Sequence, residues 1–334
     1  MNSSSLVITS IADQNNAVLK QYATEAAMRN VSFIVIGDTK SPAKFHIEGC
    51  DFYSIDKQLA LPFGLARIIP KKHYARKNLG YLVAIAQGAE SIIETDDDNL
   101  PIEGFWDQRN RKQSAKLAEN TGWTNVYKYF TDVNIWPRGF ALEEILKPLP
   151  VLAKVSQISS PIQQGLADEN PDIDAIYRLT LPLPITFNKA ESIALGKNAI
   201  CPFNSQNTTW FKEAFPLMYL PSHCSFRMTD IWRSFVAQRI SWECEWPTLF
   251  HSSTVRQERN QHNLIHDFQD EISGYLHNYK IYESLKKLSL LPGEKNISSN
   301  LLLCYEALIK LELVGSKEIP LLEAWLADLN KLNS

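Results

Sequence analysis

Short apolar runs alternate with longer helix-like segments over the first 100 residues. Residues 6–11 and 31–36 are apolar and rich in β-branched side chains, which favours strands, and the periodicity of residues 14–29 favours a helix between them. A strand, a helix and a strand in succession require parallel pairing through a right-handed crossover. Two further strands are predicted at residues 51–55 and 91–95. The sequence therefore predicts an α/β fold, with an open sheet flanked by helices.

The strand predicted at residues 91–95 ends directly in three consecutive aspartates, Asp96, Asp97 and Asp98. Like charges this close disfavour joint ionisation, so a bound cation is a natural way to offset them. The divalent ions Mg²⁺ and Mn²⁺ prefer oxygen ligands and often bridge carboxylates to substrate phosphates. Because side chains two apart in a strand point the same way, Asp96 and Asp98 are the predicted metal ligands. A solvated acidic turn is the alternative.

Polar side chains follow the predicted strands at the points where the strands end. Thr9 and Ser10 end the first strand, Asp38 follows the second, and the aspartates follow the fourth. Ligands of open α/β sheets bind beyond the carboxyl ends of the strands, so we expect these side chains to share one site. The first 100 residues contain no glycine-rich phosphate loop, which argues against a dinucleotide dehydrogenase or a P-loop nucleotidase. The basic segment 71–78, at the start of a helix predicted over residues 74–87, supplies cations for a diphosphate, with a solvated basic face as the alternative.

The composition is that of an ordinary globular protein. The 334 residues are 45% hydrophobic and carry a formal net charge of −3, which argues against nucleic acid as the main partner. The five cysteines are odd in number and show no CxxC spacing, which favours a reducing cytoplasm over a disulfide framework or a zinc site. The first residues lack the pattern of a signal peptide, and no apolar run is long enough to span a membrane. We therefore expect a cytoplasmic protein with at most peripheral membrane association.

Residues 74–98 resemble the core of GT-A glycosyltransferases, in which a basic-Asn-x-Gly helix leads to a strand that ends in the metal-binding DxD motif. More closely, the chain resembles the STELLO family of glycosyltransferase-like proteins over residues 7–10, 35–42 and 76–81, with weaker similarity to about residue 251. A more distant resemblance is to the reversibly glycosylated polypeptides, which are UDP-arabinopyranose mutases. Plant STELLO members have a basic residue at the position of Asp98, so their metal chemistry need not transfer to this chain. The acidic triplet is closer to the mutase pattern, which leaves both transferase and mutase open.

The resemblance implies a nucleotide-sugar site at the carboxyl end of the sheet. The residues that it assigns to the nucleotide-sugar are Thr9, Ser10, Asp38, Arg76, Lys77, Asp97 and Arg256. It also implies that Asp96 and Asp98 hold Mn²⁺ or Mg²⁺, with His251 as a third metal ligand or a donor to the diphosphate. Among these, Arg76 or Lys77 is expected near the diphosphate.

Acidic residues later in the chain are candidates for the acceptor side. The resemblance implies that Asp172 or Asp174 lines the cleft, although the Asn-Pro-Asp turn signal also fits a solvated loop. Asp230 lies at the start of a predicted helix, where Thr229 is a candidate N-cap and an acidic residue is favourable in its own right. The resemblance implies that Asp230 faces the acceptor and takes the proton of the attacking hydroxyl as general base.

We therefore predict a GT-A-like domain over residues 1–250, with a mixed central sheet flanked by helices, and a C-terminal helical extension over residues 251–334. The predicted function is metal-dependent transfer of a sugar from a nucleotide-sugar, with a UDP-sugar favoured, to a saccharide acceptor in cell-surface polysaccharide biosynthesis. A nucleotide-sugar mutase and a non-catalytic scaffold are the alternatives. The apolar positions of the C-terminal helices also predict contacts between copies of the chain, giving a homo-oligomer.

Overall fold

A computed structural model of the protein describes residues 3–258 and 263–333. The strands are β1 (Ser4–Thr9), β2 (Ser32–Ile36), β3 (Asp51–Tyr53), β4 (Ser91–Thr95), β5 (Asn99–Pro101), β6 (Lys112–Ala118), β7 (Gly122–Trp123), β8 (Ser156–Ser159), β9 (Ile162–Asp168), β10 (Ser192–Leu195), β11 (Ala199–Ile200), β12 (Asn207–Phe211) and β13 (Thr248–Gln257). The helices are α1 (Ala17–Met28), α2 (Ile55–Leu59), α3 (Leu65–Ile68), α4 (Lys77–Ala86), α5 (Ala175–Thr180), α6 (Thr229–Glu243), α7 (Leu264–Lys286), α8 (Ile297–Lys310) and α9 (Glu318–Asn333).

The main sheet has the strand order β3-β2-β1-β4-β12-β9-β13-β10-β6-β8, and β5 pairs with β13 outside this path. The first four strands of this order pair in parallel. Strand β12 is antiparallel to both β4 and β9, so the sheet becomes mixed at this point. A parallel half therefore presents the carboxyl ends of β1, β2 and β4 at one edge, beside strands that come from the middle of the chain.

The predicted α/β class is confirmed: a mixed central sheet is flanked by helices, and further helices follow at the C-terminal end. Strand β4 has the predicted bounds. The predicted third strand ends two residues earlier, at Tyr53, because Ser54 caps α2 by accepting from the Lys57 N–H. The predicted N-cap Thr229 is wrong, since α6 begins at Thr229 and Met228 occupies the cap position without a side-chain bond.

Helices cover the sheet on both faces. On one face, α1 packs against the strands through a small core that contains Leu19 and Tyr22. On the other face, α4, α6 and the C-terminal helices share one large core with the strands. Strand β13 continues past residue 250, and the division of the chain into two domains there stays a prediction. No helix in the described ranges combines the length and apolarity needed to cross a membrane.

The last helix, α9, is tied to the loops around the carboxyl edge of the sheet. The carboxylate of Asp328 accepts hydrogen bonds from the backbone N–H groups of Gly64 and Leu65, both at 2.9 Å. The buried carboxylate of Glu318 accepts from the backbone N–H groups of Ser222 and His223 at 3.0 and 2.7 Å. Helix α9 therefore supports two loops that precede residues of the site described below.

Gly80 is the point of closest approach between α4 and the sheet. A Cβ atom at this position would lie 2.6 Å from Cγ1 of Val7 and 2.9 Å from Cγ1 of Ile36. A Gly-to-Ala change in an open helix interior stabilises by roughly 1 kcal/mol. We expect Gly80→Ala instead to lower the free energy of unfolding by about 1–3 kcal/mol, because the buried neighbours must move. Urea denaturation measures the change in the free energy of unfolding, and an unchanged or higher value in Gly80→Ala would contradict this packing.

Candidate functional site

A cavity of about 360 Å³ opens at the carboxyl ends of β1 and β2, beside the end of β4. We call it the strand-end cavity. Five residues that the sequence assigns to the nucleotide-sugar line it: Thr9, Ser10, Asp38, Arg76 and Asp97. The other residues of its wall are Ile11, Ile36, Gly37, Thr39, Lys40, Lys72, His73, Tyr74 and Phe226. The structure thus brings together side chains from three strand ends and from the basic segment 71–78.

Local hydrogen bonds fix the shape of the strand-end cavity. The Ser10 hydroxyl donates to Oδ2 of Asp97, which joins the end of β1 to the aspartate triplet. Oδ2 of Asp38 accepts from the backbone N–H of His73 at 3.0 Å, and Oδ1 accepts from that of Thr39 at 2.6 Å. Asp38 therefore holds the end of β2 against the segment that precedes α4.

Arg76 contributes a buried guanidinium to the strand-end cavity. Its Nε donates to Gln58 at 2.6 Å, and its Nη1 donates to the backbone oxygens of Ile69 and Pro70 at 3.1 and 3.3 Å. Within the described part of the chain, Nη2 has no hydrogen-bond partner although it is buried. Burial lowers the pKa of Arg76, and the nearby Asp38 carboxylate opposes that shift. A buried donor without a partner is costly, so Nη2 is available for an acceptor atom of a ligand.

Lys77 lies under the aspartate triplet and not in the strand-end cavity. Its buried Nζ donates to Oδ1 of Asp96 and to the backbone oxygen of Thr95, both at 2.9 Å. A weaker bond of 3.4 Å reaches the backbone oxygen of Ser205. The sequence could not separate Lys77 from Arg76, whereas the structure gives each of them a different role.

The triplet retains negative charge after these contacts. In the described residues, Asp97 and Asp98 bond the neutral Ser10 hydroxyl and the neutral Gln257 amide, the latter at 3.1 Å. Burial, followed by the charge of Asp96, raises the pKa of Asp98 to about 7. Burial also raises the pKa values of Asp96 and Asp97, and Lys77 only partly opposes the shift of Asp96. Uncompensated carboxylates fit a divalent cation in charge and in ligand type.

His251 does not join the triplet, which corrects its prediction as a third metal ligand. Its ring lines a separate polar cavity with Arg109, and its Cα pairs with Gly165 in the middle of the sheet. Burial, then the Arg109 charge, lowers the pKa of His251 to about 4. The residue of β13 that reaches the triplet is Gln257, because the strand runs on past a bulge. Among residues 3–258 and 263–333, no three His, Cys, Asp or Glu side chains form a metal-binding group.

Arg256 is also outside the strand-end cavity. Its guanidinium pairs with Glu169 at 3.4 Å and with Glu258 at 2.8 Å. These carboxylates already offset its charge, so the structure gives no support for the predicted contact with a nucleotide-sugar.

Three aromatic rings form one wall of the strand-end cavity. The rings of His73 and Tyr74 are stacked with centroids 5.5 Å apart. The ring of Phe226 meets them edge-on at 5.2 and 4.9 Å and is 48% exposed. Burial, then the neighbouring His223, lowers the pKa of His73 to about 4, so the imidazole is neutral at pH 7. This apolar wall was not predicted, because Phe226 is distant in sequence from the basic segment.

Arg138 is a buried ion-pair hub beside this wall. Its Nε and Nη2 donate to the two carboxylate oxygens of Asp172 at 2.7 and 2.8 Å. Nη2 also lies 3.1 and 3.0 Å from the carboxylate oxygens of Asp230. The sequence analysis assigned no role to Arg138. Both carboxylate oxygens of Asp172 are therefore held by Arg138, which gives no support for the predicted contact with the acceptor.

Asp230 is part of the same ion-pair hub, which does not favour its predicted role as general base. Besides Arg138, its carboxylate accepts from the Tyr74 hydroxyl at 3.2 Å and from the Ser205 N–H at 3.1 Å. Burial alone would raise the pKa of Asp230, but Arg138 and then Arg233 hold it below its usual range. A carboxylate that is paired and weakly basic is a poor proton acceptor. Its contact with Tyr74 instead supports the wall of the strand-end cavity.

Asp174 has a structural role and not the predicted acceptor contact. It is the N-cap of α5, where it accepts from the Tyr177 N–H at 2.8 Å. Its other oxygen accepts from the Trp136 indole at 2.6 Å. Burial raises the pKa of Asp174 to about 6, against the effect of these hydrogen bonds.

A second buried ion pair joins the strand of the triplet to α6. The guanidinium of Arg233 donates to both oxygens of Glu94 at 2.9 and 2.8 Å. The Tyr81 hydroxyl and the Trp210 indole also donate to this carboxylate. Strand β4, which ends in the triplet, is thus fixed to the helix that begins with Thr229 and Asp230.

The C-terminal part of the chain is similar to a known family. Residues 227–334 match the STELLO glycosyltransferase family. This match begins just before α6 and includes β13 and α7 to α9. It confirms the resemblance to the STELLO family that the sequence motifs predict.

Two relatives of the STELLO family align with a longer part of the chain than the family model does. The probable glycosyltransferase STELLO2 of Arabidopsis thaliana is 30% identical over 231 residues, which cover 63% of this chain and 30% of that protein. The probable glycosyltransferase STELLO1 of Arabidopsis thaliana is 29% identical over 237 residues, which cover 65% of this chain and 31% of that protein. The chain thus spans less than a third of the length of either relative.

Among solved structures, the glucosyl-3-phosphoglycerate synthase of Mycobacterium tuberculosis in complex with phosphoglyceric acid aligns with a TM-score of 0.41 and 11% identity. The alignment covers 83% of this chain and 80% of the synthase. This level of similarity supports no functional conclusion.

Proposed function

We propose that this protein transfers a sugar from a nucleotide-sugar, with a UDP-sugar favoured, to a saccharide acceptor of a cell-surface polysaccharide pathway. The observation that carries the proposal is the strand-end cavity, in which side chains from three strand ends meet beside a triplet of carboxylates. The match to the STELLO family and the names of the relatives support transfer as the reaction class.

The nucleoside part of the donor fits the strand-end cavity. An apolar wall containing Phe226 and the neutral His73 ring suits the face of a nucleobase, since aromatic rings stack favourably. The free Nη2 of Arg76 supplies a donor for a base or ribose oxygen. Lys40 and Lys72 in the same lining supply positive charge for phosphate oxygens.

The diphosphate is expected at the open side of the cavity, next to Asp96 and Asp98. These two carboxylates would hold Mn²⁺ or Mg²⁺, and Lys77 fixes the rotamer of Asp96 from below. When bound, the cation offsets the negative charge that develops on the departing diphosphate. The strand-end cavity holds the donor in place, and a donor held next to its acceptor lowers the barrier to transfer.

Calorimetric titration of the purified chain with UDP, GDP and CDP, each with Mn²⁺ and with EDTA, tests the donor site. We expect one nucleotide, UDP, to bind with Mn²⁺ and to lose most of its affinity in EDTA. Absence of binding by all three nucleotides would overturn the donor assignment and favour a non-catalytic scaffold. Equal binding in EDTA would overturn the role of the cation alone.

A turnover assay separates transfer from its enzymatic alternative. The protein is incubated with the nucleotide-sugar of the preferred base, with and without a panel of saccharide acceptors. Nucleotide release that depends on an acceptor supports transfer. Interconversion of ring forms of the donor without an acceptor would show a mutase, and binding without any turnover would show a scaffold.

A further inference from the structure

Gln257, the last residue of β13, contacts the aspartate triplet through Asp98. Its Nε2 donates to Oδ2 of Asp98 at 3.1 Å. The backbone N–H of the next residue, Glu258, donates to the backbone oxygen of Asp98 at 3.0 Å. Two consecutive residues therefore hold Asp98, one by its side chain and the other by its main chain.

The main chain of Gln257 is itself fixed on two sides. It lies opposite Asn99 in the antiparallel pairing of β13 with β5, directly after the triplet. Its carbonyl oxygen accepts from Nδ2 of Asn170 at 3.2 Å, in the loop that follows β9. The amide that reaches Asp98 therefore extends from a position that the sheet defines.

Lys77 and Gln257 hold the two carboxylates proposed as cation ligands, each from a different element. Lys77 of α4 donates to Oδ1 of Asp96 at 2.9 Å, as Gln257 donates to Oδ2 of Asp98. Within residues 3–258 and 263–333, no residue outside the triplet donates to the other side-chain oxygen of either carboxylate. Hydrogen bonds that orient ligating carboxylates in this way are typical of metal sites and strongly affect their affinity.

The two donors differ in charge. Lys77 carries an ammonium, and it is the one cation paired with the triplet in the described ranges. The Gln257 amide is neutral, so it holds Asp98 without offsetting the charge of that carboxylate. A second cationic side chain here would repel a divalent ion. A neutral donor therefore combines a fixed orientation of Asp98 with the negative charge that a cation requires.

We infer that Gln257 is a positioning residue of the cation site, which acts by holding the Asp98 carboxylate in the orientation that binds Mn²⁺ or Mg²⁺. The inference rests on the proposed function, because it requires the cation at the triplet. Direct binding of the ion by the Gln257 amide oxygen is the competing role. A carboxylate in place of the amide separates the two roles, since ligand charge raises the affinity of a site for a hard cation.

Electron paramagnetic resonance of free Mn²⁺ measures how much of the ion the purified chain binds, without nucleotide and with UDP. Gln257→Leu removes the donor and is expected to raise the dissociation constant for Mn²⁺ by about 10–100-fold. Gln257→Glu also removes the donor and sets a like charge beside Asp98, so it is expected to bind Mn²⁺ more weakly than wild type does. Thermal melting of the same proteins without metal is expected to be unchanged, because the side chain lies at a strand end and is partly exposed.

Gln108→Leu and Gln108→Glu make the same changes at an exposed glutamine between β5 and β6 and are expected to keep the wild-type affinity. Equal Mn²⁺ affinity in wild type and Gln257→Leu would overturn the positioning role and leave the cation site intact. Tighter binding by Gln257→Glu would show direct ligation by residue 257 and would also overturn it. Absence of Mn²⁺ binding by the wild-type chain, with and without UDP, would overturn the proposed cation site together with this inference.

Discussion

The double variant Asp96→Asn, Asp98→Asn is expected to lose cation-dependent nucleotide binding by more than about 100-fold, since even changes outside the direct ligands of a metal cost 10–100-fold in affinity. Its fold is expected to persist, because both side chains lie at the open end of β4 and keep their size and hydrogen-bonding oxygen. Calorimetry with UDP and Mn²⁺ measures the loss, and circular dichroism measures the fold.

The single variants separate the two roles within the triplet. Burial and the charge of Asp96 raise the pKa of Asp98, so the ionised carboxylate costs stability at neutral pH and Asp98→Asn is expected to leave the melting temperature unchanged or higher. Asp96→Asn removes the counter-charge of the buried Lys77 ammonium and is expected to lower the melting temperature. Asp132→Asn, at an exposed carboxylate in a loop, is the control for the loss of one charge. Undiminished nucleotide binding by the double variant would refute the metal site at the triplet.

The residues of this site that could be predicted from sequence are those that directly follow a strand recognisable from its own apolar run. Strand β4 ends where its apolar run meets the aspartates, and Thr9, Ser10 and Asp38 follow neighbouring parallel strands, so one rule about strand ends brings them together. A basic residue at the start of α4 could be predicted as well, because α4 packs on β1 and β2, but the sequence did not separate Arg76 from Lys77.

The remaining residues depend on contacts between distant segments, which one sequence does not reveal. Arg138 bonds carboxylates that are 34 and 92 residues further along the chain, so the residues around it in sequence do not indicate its partners. Phe226 joins the aromatic wall through the loop that α9 supports. His251 fails as a metal ligand because a bulge between His251 and Val255 and the length of β13 separate it from the triplet. Strand register and bulges are set by tertiary packing, which periodicity does not encode.

The buried ion pairs explain how a site assembled from distant segments keeps its shape. The ion pair between Glu94 and Arg233 fixes β4 to α6. At the start of α6, Asp230 pairs with Arg138, which also pairs with Asp172. Each pair is largely shielded from water, so losing one partner leaves a charge whose main compensation is gone. Among these residues, Arg138 compensates two carboxylates at once, and its removal is therefore expected to have the largest effect on stability.

Arg138→Met is expected to lower the free energy of unfolding by about 3–5 kcal/mol, because the buried Asp230 and the mostly buried Asp172 lose the cation that they share. Denaturant unfolding at neutral pH measures the loss. Arg29→Met, which breaks a partly exposed pair with Glu25 on the surface of α1, is the control and is expected to cost no more than about 1 kcal/mol.

Rescue distinguishes a charge effect from a packing effect at Arg138. Adding Asp172→Asn and Asp230→Asn to Arg138→Met removes the uncompensated charges and is expected to restore most of the lost free energy of unfolding. Arg138→Lys keeps one charge but lacks the planar fork that reaches both carboxylates, so it is expected to fall between wild type and Arg138→Met. If the triple variant is no more stable than Arg138→Met, the loss comes from the missing volume of the side chain, and the account of Arg138 as an ion-pair hub is wrong.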